Sequence, residues 1–264
     1  MSHSMDRLLR IMARLRDRDG GCPWDLEQDF ATIAPHTLEE AYEVVEAIEA
    51  GDKPALKDEL GDLLFQIVFY AQMAEEEGSF DFEEIAAAIS DKMIRRHPHV
   101  FGDTAATDAG THIKLWEEQK AAERAAKDEA GTLDGVSVSL PALTRAVKLQ
   151  KRVARVGFDW PGAEQVFDKL TEEIGELRAE LGENPDQERV ADEMGDILFV
   201  CANLARKLGV DPESALRGCN RKFERRFRHI EHSLAGEGRR PEDASLEEME
   251  ALWVDAKRLE KQHG

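Results

Sequence analysis

Residues 58–72, DELGDLLFQIVFYAQ, do not show the single apolar stripe of an ordinary surface helix. Leu60, Leu63, Leu64, Phe65, Ile67, Val68, Phe69 and Ala71 go almost all the way round a helical wheel. A helix that is apolar on every face is normally buried. The same stretch carries Glu59 and Asp62, which share one side of a helix at their i, i+3 spacing. No basic residue follows Lys57 until Lys92. A buried carboxylate has to be paired, neutralised or bound to a metal, so the pattern predicts a buried helix whose two acids face a cation.

The pattern returns 134 residues later as DEMGDILFVCANLAR, residues 192–206, with Glu193 and Asp196 in place of Glu59 and Asp62. Upstream, TLEEAYEVVEAIEAGD carries Glu40 and Glu43, and KLTEEIGELRAELGEN carries Glu173 and Glu176. Glu40 precedes Glu59 by 19 residues and Glu173 precedes Glu193 by 20. GCPWD and VGFD align Asp25 with Asp159. SDKMIRRH and CNRKFERRF align Lys92 and Arg96 with Lys222 and Arg226, while KLWEEQK and ALWVDAK align Trp116 with Trp253. Six features in one order mark a tandem duplication of a unit of roughly 110 residues. Gly131, Gly135 and Pro141 interrupt the periodicity between the copies. Residues 1–127 and 138–264 are read as two domains, with 128–137 as the linker.

Each copy reads as helical. Thr37 is expected to cap a helix over Leu38–Ala50, with Glu40 as its capping-box partner. The breaker AGDKP follows, then a second helix from about Ala55 to Glu76. The short loop makes the two antiparallel. Glu40 and Glu43 then share a face, as do Glu59 and Asp62, and four carboxylates converge wherever the faces meet. The second copy brings Glu173, Glu176, Glu193 and Asp196 together in the same way.

Composition narrows the class. Aromatic residues make up 6% and prolines number 9, in a chain rich in Ala, Leu, Glu, Arg and Lys, which favours an all-α protein. The net charge of −20 argues against a nucleic-acid polymer as partner, because phosphate backbones demand a basic footprint. A free nucleotide is compatible with it, since a bound divalent cation reverses the local field. Cys22, Cys201 and Cys219 form neither a disulfide framework nor a zinc spacing. With no apolar leader and no run long enough to span a membrane, they point to a cytoplasmic protein.

Carboxylates without His or Cys suit Mg²⁺ or Mn²⁺. A di-iron bundle would use Glu-x-x-His pairs, and here every second position is Glu or Asp. Mg²⁺ commonly also engages substrate phosphates. Lys92/Arg96 and Lys222/Arg226 supply matching cations, each pair on one helical face. Trp116 and Trp253 are candidates for stacking on a base, with packing at a helix contact as an equal alternative. The absence of a glycine-rich phosphate loop excludes a Walker-type ATPase. His97 and His99 in RRHPHVFGD read as a structural turn.

Glu-x-x-Glu, a gap, then Glu-x-x-Asp resembles the motif of the all-α nucleoside triphosphate pyrophosphohydrolases. With CPWDLEQDFATIAPHTLEEAYEV, DELGDLLFQIVFYAQMAEEEG and RRHPHVFGD, nearly the whole chain is similar to their tandem-domain bacterial MazG form. The resemblance implies helical bundles completed by homodimerisation, with sites that draw on both protomers. It also implies Mg²⁺-dependent hydrolysis of nucleoside triphosphates to monophosphate and pyrophosphate, with loose base and sugar preference, in clearing the nucleotide pool. Glu173, Glu176, Glu193 and Asp196 would hold Mg²⁺, Lys222 and Arg226 the phosphates, and Trp253 the nucleotide. Glu40, Glu43, Glu59, Asp62, Lys92, Arg96 and Trp116 are their first-copy counterparts. Glu176 is the expected water-activating acid. Pro98 interrupts the first copy soon after Arg96, which slightly favours the second as the active one. Two alternatives stay open: a related pyrophosphatase with a narrower substrate, and a non-catalytic module whose acids are satisfied by salt bridges.

Overall fold

A computed structural model describes residues 3–102, 131–182 and 184–263, and among these every regular element is helical. The chain divides into two compact units, residues 1–120 and 121–264. It is an all-α protein of two tandem helical domains, as expected.

The first unit comprises α1 (His3–Leu15), α2 (Pro23–Glu27), α3 (Phe30–Ala50), α4 (Lys53–Glu77), α5 (Phe82–Arg96) and α6 (Pro98–Phe101). Its centre is the α3–α4 hairpin. The chain reverses at Gly51, whose φ of 70° lies in the left-handed region that a side chain would strain. Asp52 then caps α4, accepting from the Ala55 N–H at 3.0 Å. Met12, Ile33, Val68, Phe69 and Met73 form the core between α1, α3 and α4, with Phe30 and Tyr70 stacked at 5.9 Å beside it. Arg16 locks this packing by donating from Nε and Nη2 to Glu76, at 2.9 and 2.8 Å.

Two expectations are corrected. The helix that carries Glu40 starts at Phe30, eight residues before the expected Leu38. Asp29 caps it, accepting from the Ala31 and Thr32 N–H groups at 2.8 Å, while Thr32 Oγ1 accepts from the Asp29 N–H. Pro35 falls inside α3 but close enough to its start to cost only a local hydrogen bond, and continuing the helix upstream buries Ile33 at 1% exposure. Thr37 is no cap. Its hydroxyl lies 2.9 Å from the Tyr70 hydroxyl and ties α3 to α4. The second correction concerns α4, which is not buried all round. Its C-terminal half is covered at Val68, Phe69, Ala71, Met73 and Ala74, but Leu60 is 50% exposed and Ile67 39%. Among the described residues α1, α3 and α5 pack on α4 and leave Leu60 and Ile67 in part uncovered.

The second unit runs α7 (Ala142–Ala154), α8 (Ala163–Glu180), α9 (Gln187–Lys207), α10 (Pro212–Gly236), a 3-10 turn (Pro241–Asp243) and α11 (Leu246–His263). α8 and α9 repeat the central hairpin, α7 packs on α9, and α11 packs on α10. Val166, Val200, Ala202, Ile230 and Leu234 are buried. Gln150, buried among them, donates from Nε2 to the Phe199 carbonyl at 2.8 Å. Asp159, the counterpart of Asp25, is held by Arg206 and by Lys207 Nζ at 2.7 Å, which fixes the segment entering α8. No helix among the described residues is long and apolar enough to cross a membrane.

Phe69 is 1% exposed and meets Phe65 edge-on at 6.0 Å. Phe69→Ala is expected to destabilise the first unit by about 3–5 kcal/mol. Urea unfolding followed by circular dichroism checks this, and a loss under about 1 kcal/mol would contradict the proposed core.

Candidate functional site

The hairpins exist because apolar residues on the inner sides of α3/α4 and α8/α9 must be covered, and the acids ride on the same helices. In the first unit Glu40 and Glu43 come from α3, and Glu59 from α4. One carboxylate oxygen from each lies within 4.8 Å of the others. In the second unit Glu173 from α8 meets Glu193 and Asp196 from α9 within the same limit. Asp62 and Glu176, the fourth acid of each set, stand outside these triplets. Asp62 still acts on Glu40 through its charge, and Glu176 shares a hydrogen bond with Glu173. The spacing argument therefore places three acids of each four in mutual contact range and the fourth beside them.

The electrostatics of the two clusters differ. Glu40 and Glu59 are both held above the usual carboxylate range. Burial is the larger cause, followed by Asp62 and Glu43 for Glu40, and by Glu43 and Asp62 for Glu59. Among the described residues no basic side chain pairs with Glu40, Glu43, Glu59 or Asp62. In the second cluster Glu193 is likewise raised, by burial and then by Glu173 and Asp196. Glu176 is raised chiefly by its hydrogen bond with Glu173. Glu173 goes the other way. It is 4% exposed, and its hydrogen bond from Lys169 outweighs burial and lowers it.

The expected phosphate-binding residues lie on the helices that follow. Lys92 and Arg96 are half-buried on α5, which packs on α4. Lys222 is exposed on α10. One turn on, Arg226 donates from Nε and Nη2 to Glu260 at 2.9 and 2.8 Å. Its guanidinium is 5.4 Å from the centre of the Trp253 ring, which also lies 5.3 Å from Phe223. Arg226 and Trp253 thus form one group. Trp116 lies outside the described residues. His97 closes α5, its Nδ1 2.7 Å from the Met93 carbonyl, in keeping with a structural turn.

Residues 28–101 and 162–231 both match the MazG nucleotide pyrophosphohydrolase domain, and these segments contain both carboxylate sets. A nucleoside triphosphate pyrophosphohydrolase of Escherichia coli is 54% identical over 98% of each chain. A Thermotoga maritima protein named nucleoside triphosphate pyrophosphohydrolase/pyrophosphatase MazG is 40% identical, over 96% of this chain and 95% of its own. The chain belongs to the MazG family. A Bacillus subtilis protein named only as uncharacterized YabN is 41% identical over 98% of this chain, which spans 53% of its length.

Two residues of the MazG repeats escaped the sequence reading. Lys169 bonds Glu172 and Glu173, and its signal was available, since it stands four residues before Glu173 within a repeated segment. His36 occupies the matching position before Glu40. It lies within the hairpin because α3 begins at Phe30 and not at Leu38. It faces Glu39, with Nδ1 to Oε2 at 3.5 Å, and the edge of Trp24.

A carboxylic acid whose folded pKa is raised contributes stability below its ordinary pKa and loses it as pH rises through the folded value. Glu40→Gln removes that loss. In EDTA the variant is expected to melt above the unsubstituted protein at about pH 7.5, with the gap closing toward about pH 4.5. A lower melting temperature for the variant at the higher pH would mean that Glu40 already has a stabilising partner.

Proposed function

We propose that the protein hydrolyses nucleoside triphosphates to nucleoside monophosphate and pyrophosphate at a Mg²⁺-loaded carboxylate cluster, as a homodimer. The observation that carries this is the twice-built cluster of three acids within 4.8 Å, on the helices that match the MazG domain. The names of the Escherichia coli and Thermotoga maritima relatives point to the same reaction.

The donor set fits the metal: carboxylate oxygens from two helices, without thiolate or imidazole, form a hard site for Mg²⁺ or Mn²⁺. Glu173, Glu193 and Asp196, with Glu176 beside them, would hold the ion in the second repeat. Glu40, Glu43 and Glu59, with Asp62, would do so in the first. A divalent ion there supplies positive charge to phosphate oxygens and lowers the pKa of nearby water.

The protein's own groups do the rest. Glu176, whose carboxyl is raised by the hydrogen bond it donates to Glu173, accepts a proton from the attacking water once it has lost its own, and a base tuned upward suits that task at neutral pH. The water oxygen bonds to phosphorus as the anhydride P–O bond between the α- and β-phosphates breaks. Lys222 and Arg226 balance the charge of the departing pyrophosphate. Arg226 leaves Glu260 to do so, and Trp253, already stacked near it, offers its face to the base. In the first repeat Lys92, Arg96 and Trp116 take these parts.

Apolar side chains left uncovered around the clusters among the described residues support the dimer. Leu38, Tyr42 and Leu60 are about half exposed, as are Met194, Leu198 and Phe199. Apolar surface of this kind marks an interface. A second copy would complete the burial that the all-round apolar pattern of α4 demands. Broad base preference, a role in clearing the nucleotide pool and a cytoplasmic location extend the same reading.

Glu59→Gln and Glu193→Gln each remove one acid from a cluster. The double variant is expected to lose about 100-fold or more of its Mg²⁺-dependent turnover, and the single variants to identify the working repeat. Full activity in the double variant would remove the clusters from the reaction.

A further inference from the structure

The two carboxylate clusters are built alike, but among the described residues only the second contains its own cation. Lys169 Nζ lies 2.8 Å from Glu173 Oε1 and 2.7 Å from Glu172 Oε1. Helix support alone does not account for this pair. A lysine placed N-terminal to its glutamate is the weaker order for an i, i+4 contact, and Glu173 is not a surface group but the most buried acid of its cluster, at 4% exposure. One of its carboxylate oxygens lies within 4.8 Å of oxygens from Glu193 and Asp196, so the ammonium sits on the deepest member of the cluster. In the first repeat the matching residue is His36, which is turned to Glu39, and the cluster holds no counter-charge among the described residues.

We propose that Lys169 is a resident counter-ion, so that the second repeat takes up a free divalent cation only weakly and the first repeat, with His36, takes one up tightly. The inference rests on the reading of both clusters as divalent-metal sites. Its basis is charge balance. Entry of a +2 ion into the first cluster relieves repulsion among acids with no cation of their own. Entry into the second must break the Lys169–Glu173 pair or place two cations a few ångströms apart, and in a partly buried place that repulsion is costly. A metal ion that arrives with a nucleotide triphosphate does not face the same obstacle, because the phosphates offer the displaced ammonium a new partner. The second repeat is therefore loaded by the metal–nucleotide pair, and the first by the metal alone.

The test is a Mn²⁺ titration of the full chain without nucleotide, with free Mn²⁺ followed by electron paramagnetic resonance. Two classes of site are expected. Glu59→Gln should abolish the tight class and Glu193→Gln the weak one. Lys169→Met should tighten the weak class about tenfold or more, and His36→Lys should weaken the tight class by a similar factor. Lys169→Met should also melt earlier than the unsubstituted protein in EDTA, because it leaves Glu173 buried without its cation, and Mn²⁺ should restore it. Two classes of equal affinity, or a folded Lys169→Met protein with unchanged Mn²⁺ binding, would overturn the role of Lys169 while leaving the metal sites standing. No Mn²⁺ bound in either repeat would overturn the metal reading itself.

Discussion

The repulsion among carboxylates held between paired helices is the constraint on which the rest of this molecule depends. Packing brings Glu40, Glu43 and Glu59, and again Glu173, Glu193 and Asp196, to within 4.8 Å. The driving force is burial of apolar side chains on the same helices, such as Val68 and Phe69 on α4 and Val200 on α9. The acids are carried along and cannot separate without exposing that core. The folded chain therefore holds an electrostatic imbalance that a cation can relieve. Burial first, and neighbouring carboxylates second, push Glu40, Glu59 and Glu193 above the usual carboxylate range. A site that is destabilised when empty favours its ligand, and ordinary surface acids would show no such strain.

Duplication gave the chain two copies of this device, and the copies have drifted apart. Both keep the acids, and both keep an aspartate, Asp25 or Asp159, in the segment leading into the first helix of the hairpin. They differ at one position beside the cluster, histidine in one and lysine in the other. They differ also in the helix that carries the proposed phosphate-binding pair. α5 stops at Arg96 and α6 restarts at Pro98, whereas α10 runs unbroken from Pro212 to Gly236 past Lys222 and Arg226. The unbroken helix lets Arg226 stand against Trp253 and Glu260 on α11. The two repeats are thus similar in their carboxylate clusters and different in what surrounds them.

Much of this was legible in the sequence, for physical reasons. The all-α class followed from composition and periodicity, and the hairpins from the short breaker AGDKP between two apolar runs. The acidic clusters followed from i, i+3 spacing, which fixes a helix face whatever the tertiary context. The start of α3 did not follow, because Thr37 and Asp29 are both competent caps and only the burial of Phe30 and Ile33 decides between them. The exposure of Leu60 and Ile67 was misjudged as well, since an apolar helix wheel states that a face wants cover without stating which chain supplies it. Lys169 was passed over because a lysine among glutamates on a helix is normally a solvated pair. Its significance lies in the depth of Glu173, which no local pattern encodes. Trp116 falls outside the described residues and remains known only from its match to Trp253.

The most direct measurement is of products. The protein is incubated with a panel of ribo- and deoxyribonucleoside triphosphates, with Mg²⁺ or with EDTA, and nucleoside monophosphate, diphosphate, pyrophosphate and orthophosphate are quantified. Equal amounts of monophosphate and pyrophosphate, formed only with Mg²⁺, are the expected result. Diphosphate with orthophosphate, or turnover that persists in EDTA, would contradict it.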